Sequence, residues 1–140
     1  MGVLDGIKDL LGKKSAVQMV ADDPQMSAEL LLLLRTMFAD GEMTQEEVRM
    51  FKALCGTAFN IAEDDVPDVI RFLQEYGYET SGQQAAEVFA GVTPERRQQL
   101  MIHIISMARA DNVVHEKEAD LIQRVATILG YTPDQINDWL

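Results

Sequence analysis

Four carboxylates recur in this chain at one fixed spacing, and their types and positions suit cation binding. Asp40 and Glu47 lie in the segment ADGEMTQEE, and Asp111 and Glu118 lie in the segment ADNVVHEKE; the two copies are 71 residues apart. Carboxylate oxygens are the ligands that hard divalent cations such as Ca²⁺ and Mg²⁺ prefer. If the two copies pack about a pseudo-twofold axis, all four carboxylates converge. The spacing therefore predicts one divalent-cation site formed by Asp40, Glu47, Asp111 and Glu118.

The same residues also have a structural explanation that needs no metal. Thr44, followed three residues later by Glu47, matches a helix capping box. Glu118 lies in the predicted first turn of a helix, where the helix dipole favours a negative charge. Gly41 and its counterpart Asn112 are residue types that tolerate the left-handed backbone of a helix end. On the residues alone, a cation site and two capped turns both stay open.

Two matching pairs of helices are predicted to position these acids. Each acidic turn follows a strongly apolar stretch, residues 30–38 and 100–108, and precedes an amphipathic one, residues 48–59 and 119–129. Apolar residues at helical spacing recur through the chain, and no β-branched alternation indicates a strand. The sequence predicts a single all-α domain over residues 1–140, a bundle of about seven helices with a pseudo-twofold helix–acidic turn–helix repeat.

The composition excludes several classes of function. The net charge of −11 and the pI near 4.4 argue against nucleic-acid binding, because phosphate contacts need clustered Lys and Arg. A single cysteine, Cys55, rules out an internal disulfide and suggests a reduced, intracellular chain in which this residue fills the core. The longest unbroken apolar run, residues 30–34, is far too short to cross a membrane.

No catalytic motif is recognisable. The chain lacks a glycine-rich phosphate loop, a His-Glu-x-x-His helix and a cysteine pair. His103 is expected to be a hydrogen-bonded residue in the core or at its edge, and His115 is expected to cap a helix, with an accessory ligand role as the alternative. Paired carboxylates can perform acid–base chemistry, but here they have no recognisable companion that would position a substrate. The chain is predicted to be non-enzymatic, and a carboxylate-based hydrolase is the least favoured alternative.

Residues 1–14 form a distinct amphipathic segment. Its five large apolar residues fall on one face of a predicted helix: Val3, Leu4, Ile7, Leu10 and Leu11. Residues 1–20 carry a charge of +1, whereas the whole chain carries −11. Such a segment packs on its own bundle, or contacts another protein or an anionic membrane surface. We expect residues 1–14 to dock weakly on the bundle and to be available for peripheral membrane or partner contact.

The two acidic turns, together with the closing LGYTP of residues 129–133, resemble the tellurite-resistance protein B (TerB) family over most of the chain. The resemblance implies an all-helical bundle with a pseudo-twofold arrangement and an acidic cluster proposed to bind divalent metal. It also implies association with bacterial stress and tellurium-resistance systems, some of them at the inner face of the membrane. The second turn departs from the family pattern at Asn112, Val113 and His115, which leaves that half less acidic.

The family's acidic positions correspond to Asp40, Glu47, Asp111 and Glu118. The residues and the resemblance together predict a non-enzymatic, TerB-like interaction module that binds Ca²⁺ or Mg²⁺ through these residues. Its partners would be other proteins, in a membrane-associated stress complex, and its place would be the cytoplasm or the inner membrane face. A purely structural helical scaffold without a metal site remains the alternative.

Overall fold

The computed structural model describes residues 15–39, 41 and 43–139, and this part of the chain is helical without any strand. The eight α-helices and one short 3₁₀ helix of these residues are α1 (Ala16–Asp22), α2 (Pro24–Met37), α3 (Gln45–Phe59), the 3₁₀ helix (Glu63–Asp65), α4 (Val66–Glu79), α5 (Gly82–Glu87), α6 (Pro94–Ala108), α7 (Glu116–Ile128) and α8 (Pro133–Trp139). The predicted all-α class is confirmed.

Helix α2 is the centre of the bundle. Its five consecutive leucines, residues 30–34, are all buried. A helix that is apolar on every side needs neighbours on every side, and α1, α3, α4, α5, α6 and α7 all pack against it. Each buried leucine contributes about 1.5–3 kcal/mol relative to an exposed one, so this single helix organises most of the core.

The described residues begin with a short helix, α1. Ser15 caps this helix, since its hydroxyl accepts a hydrogen bond from the Gln18 N–H. Asp23 then caps α2, since its Oδ1 accepts from the Met26 N–H at 3.1 Å. The amphipathic segment of residues 1–14 lies outside the described residues, so its docking on the bundle stays a prediction.

The two helix–turn–helix segments share one local backbone. Helices α2 and α6 end 71 residues apart, and α3 and α7 begin 71 residues apart. The left-handed positions also correspond, with φ of 81° at Gly41 and 65° at Asn112. In each turn the N–H of this residue donates to a carbonyl three residues earlier. The local geometry therefore repeats, while a twofold axis relating the two halves stays a prediction.

Cys55 lies on the inner face of α3 and is fully buried. Burial raises the pKa of its thiol from 9.0 to about 12, because the apolar surroundings disfavour the charged thiolate. The expected role as a small core residue is confirmed.

Within the described residues, no helix has both the length and the apolar character needed to cross a membrane.

Candidate functional site

The first acidic turn ends in a side-chain cap at the start of α3. The Thr44 hydroxyl accepts a hydrogen bond from the Glu47 N–H at 3.1 Å and donates one to Glu47 Oε1 at 3.1 Å. These two bonds hold the Glu47 carboxylate over the N-terminus of the helix, where the dipole favours negative charge. The Thr44 half of the predicted capping box is present, and Glu47 is only 1% exposed.

The second acidic turn also places its glutamate in the first turn of a helix, but with a different hydrogen-bond donor. His115 is the N-cap residue of α7, as expected, and its backbone N–H donates to Glu118 Oε1 at 3.1 Å. Glu118 is also only 1% exposed. The two glutamates of the repeat therefore occupy equivalent buried positions, each in the first turn of its helix.

Asp111 contacts its own turn with both carboxylate oxygens. Its Oδ1 accepts from the Val113 N–H at 3.1 Å, and its Oδ2 lies 3.4 Å from His115 Nε2. Aspartate side chains commonly stabilise tight turns by bonding to a backbone N–H two residues ahead. To coordinate a cation, Asp111 would have to share or give up one of these contacts.

The structure does not assemble the predicted site from the described residues alone. Asp40 lies outside the described residues. Among the residues that the structure does describe, no three His, Cys, Asp or Glu side chains are grouped so that they could hold a metal ion. Glu47, Asp111 and Glu118 therefore make no metal-binding group by themselves, and the four-residue site stays a prediction that requires Asp40.

The chemistry of the two glutamates nevertheless suits a hard cation. Charged side chains withdrawn from water are normally paired or bound to a metal. Glu47 and Glu118 are both withdrawn from water, and each presents oxygen ligands of the kind that Ca²⁺ and Mg²⁺ prefer. These residues, with Asp40 and Asp111, are the ones that would hold Ca²⁺ or Mg²⁺.

Sequence reasoning missed a second charged cluster, centred on Glu29 of α2. This fully buried carboxylate has Oε1 at 2.6 Å from Arg96 Nη1 and Oε2 at 2.6 Å from His103 Nδ1, both on α6. Arg96 also stacks over the Phe89 ring at 5.1 Å. The signal was a lone glutamate directly before five leucines, which requires a partner inside the core.

The Glu29 cluster ties two helices together and leaves its carboxylate engaged on both oxygens. The cluster lines a polar cleft of about 370 Å³ with Asn60 and Gln99. His103 is confirmed as a hydrogen-bonded residue at the edge of the core. Because Arg96 and His103 already contact both carboxylate oxygens of Glu29, we infer that the role of the cluster is to hold α2 and α6 together.

The chain matches a known family over most of its length. The family model described as "Tellurite resistance protein TerB" matches residues 26–139, which include both acidic turns and α3 to α8. Comparison with curated proteins and with solved structures finds no match. The resemblance indicated by the repeated acidic turns is thus confirmed, and the chain belongs to the TerB family.

Proposed function

We propose that this TerB-family domain is a non-enzymatic interaction module of a bacterial stress or tellurite-resistance system, with acidic turns that take up a divalent cation. The family match supports the association with resistance. We place the module in the cytoplasm, in a protein complex at the inner face of the membrane. The cation is Ca²⁺ or Mg²⁺, because the candidate ligands are all oxygen donors.

One observation carries the cation proposal: Glu47 and Glu118 are equivalent in two turns of matching backbone, and both are almost completely withdrawn from water. A cation held by these glutamates together with Asp40 and Asp111 would offset the repulsion among four carboxylates. The described carboxylates are not grouped as a metal site by themselves, so the proposed site depends on Asp40.

The proposal is tested by titrating chelator-treated protein with Ca²⁺ and with Mg²⁺ in a calorimeter, and by melting it in each ion. A cation at about 100 times its dissociation constant should raise the free energy of unfolding by roughly 2.7 kcal/mol. Identical melting in excess Ca²⁺, excess Mg²⁺ and chelator would contradict a specific site.

Glu47→Gln separates the cation role from the capping role. Glutamine keeps an oxygen that can accept from the Thr44 hydroxyl, so the metal-free variant should lose well under ~1 kcal/mol of stability. Its cation affinity should fall, because a charged ligand is gone. The matched control is Glu46→Gln, which removes the same charge from an exposed position in the same helical turn.

Two outcomes are informative beyond the main comparison. Thr44→Ala should cost about 1 kcal/mol of stability through the lost cap, and it should weaken cation binding less than Glu47→Gln does, because the Glu47 charge is kept. If Glu47→Gln binds the cation as tightly as Glu46→Gln does, Glu47 is not a ligand.

A helical scaffold without any metal is the second candidate, and a specific observation favours it. Asp111 directs both oxygens to its own turn, and Glu47 and Glu118 each take part in a capping interaction. On this reading the acidic turns only terminate and start helices. The scaffold predicts no thermal shift with either cation, so the titration decides between the two.

A further inference from the structure

A long open groove runs beside α7, away from the Glu29 cleft. It has a volume of about 1170 Å³ and lies between α7, the C-terminal end of α2 and the start of α5. Its α7 wall includes Lys117, Asp120, Leu121, Arg124 and Ile128 at helical spacing, together with Gln123, Val125 and Thr127. At 1.5 Å per residue, the 12 residues from Lys117 to Ile128 give a wall about 18 Å long. This length suits another helix.

The groove has an apolar surface that can pack against a helix. Phe38 lines one end and is 44% exposed, which is high for a phenylalanine. Leu121 and Ile128 are half-buried along α7, and Val125 lies between them. An amphipathic helix bound in such a groove buries residues that recur every three or four positions.

The charge of the groove is opposite to that of the protein. Residues 15–140 contain nine Lys and Arg against 21 Asp and Glu, a net charge of −12. Among the described residues, the groove is lined by three of those nine bases, Arg35, Lys117 and Arg124, and by one acid, Asp120. Lys117 and Arg124 are seven residues apart, which separates them by about 10 Å along one edge. An incoming helix would match this spacing with two acidic residues one heptad apart.

We propose that this groove binds an acidic amphipathic helix of another protein. The bound helix has an apolar stripe at helical spacing, flanked by Glu or Asp seven residues apart that face Lys117 and Arg124. The proposal gives a location and a partner class to the interaction role proposed above, and it does not depend on the cation. Residues 1–14 also have an apolar stripe, but their charge of +1 makes them a poorer match to the basic edge.

The test uses two synthetic 14-residue helical peptides with the same leucine stripe, one with Glu and one with Lys at the flanking positions. Fluorescence anisotropy with the full chain should give at least tenfold tighter binding for the Glu peptide. The long-range attraction of a chain with a net charge of −11 favours the Lys peptide. A preference for the Glu peptide therefore reports the groove.

Arg124→Glu should weaken binding of the Glu peptide about tenfold, while Arg71→Glu should leave that binding unchanged. Arg71 is an exposed base on α4 outside the groove, and its own ion pair with Asp68 is also exposed. Circular dichroism melts of both variants verify that each remains folded. Equal binding of the two peptides, or Glu-peptide binding that survives Arg124→Glu, would overturn the proposal.

Two further results would assign the groove to a different occupant and so also overturn the proposal. One is displacement of the Glu peptide by a peptide of residues 1–14, with removal of that segment strengthening Glu-peptide binding. The other is a dimer in sedimentation that Arg124→Glu dissociates. Failure of the cation proposal is recognised separately, because it appears as an absent Ca²⁺ or Mg²⁺ response in the unmodified protein.

Discussion

Three glutamates among the described residues are removed from water, and each has a different local environment. Glu29 meets an arginine and a histidine from another helix, whereas Glu47 and Glu118 lie at helix starts against nearby hydroxyl or backbone donors. Long-range ionic contacts of the first kind join elements, while contacts of the second kind stabilise an element locally. Mutation at these positions should therefore have different effects on the stability of the bundle.

Glu29→Ala should lower the free energy of unfolding by about 3 kcal/mol, because it leaves Arg96 and His103 without their buried partner. The value is at the lower end for such pairs, since the Arg96 side chain is 26% exposed and can turn toward water. Denaturant unfolding measures the loss. Glu63→Ala is the control: its exposed pair with Lys52 spans 3.9 Å, and its removal should change stability by less than about 0.5 kcal/mol. A cost below 1 kcal/mol for Glu29→Ala would show that the cluster adds little to stability.

Residues whose role is set by near neighbours could be predicted, and those that depend on distant neighbours could not. The caps at Asp23 and Thr44 each involve a backbone N–H only three residues later, so both depend on local sequence alone. The partners of Glu29, Arg96 and His103, lie 67 and 74 residues away, and periodicity contains no information about which residues of α6 it will face. The sequence could therefore place His103 at the edge of the core, but it could not identify Glu29 as the partner of His103.

At the level of elements, the turns explain why the two halves of the chain look alike. Each apolar helix is followed by a turn with a left-handed residue four positions after the helix end, and each following helix begins at an N-cap with a glutamate three residues later. These signals are local, so the turns were visible in the sequence. Helix α1 was missed although Ser15 and Gln18 form a capping box, because seven residues are too few to show a helical period clearly.

Gly41→Ala tests the backbone of the first turn. A Cβ at this position would meet no atom within 4 Å, so the cost comes only from the φ of 81°. We expect a loss of about 1 kcal/mol in a thermal melt, and a smaller loss for Gly41→Asn, because asparagine tolerates this conformation. Asn112→Gly in the second turn should be close to neutral. If Gly41→Ala melts like the unmodified protein, the left-handed conformation is not required in solution.

At the scale of the whole molecule, the fold class followed from composition and period, but the placement of surfaces did not. A helix that is rich in leucine around its whole circumference must be surrounded by other helices, and α2 lies at the centre of the bundle. The groove beside α7 depends on how the end of α2 and the start of α5 meet that helix. Whether the two acidic turns approach each other depends likewise on packing between the halves. Neither can be read from local sequence.

Removing residues 1–14 should leave a folded bundle that melts cooperatively. Helices α1 to α8 form a continuous core among the described residues, and a short helix alone is only marginally stable. Circular dichroism melts should show a loss below about 1 kcal/mol, with the cation response kept because both acidic turns lie later in the chain. Binding to anionic liposomes or to a partner in a pull-down should fall. An unfolded product would show that the segment belongs to the core.

The burial of Cys55 makes it a reporter of how often the bundle opens. At pH 8 a thiol of pKa about 12 is a thiolate for only about one part in ten thousand, and alkylation also requires the reagent to reach it. Iodoacetamide should therefore modify the folded protein orders of magnitude more slowly than the urea-unfolded chain. If labelling needs global opening, Glu29→Ala should accelerate it roughly a hundredfold, matching the change in unfolding equilibrium. A smaller acceleration would indicate that α3 can detach from the core while the Glu29 cluster stays closed.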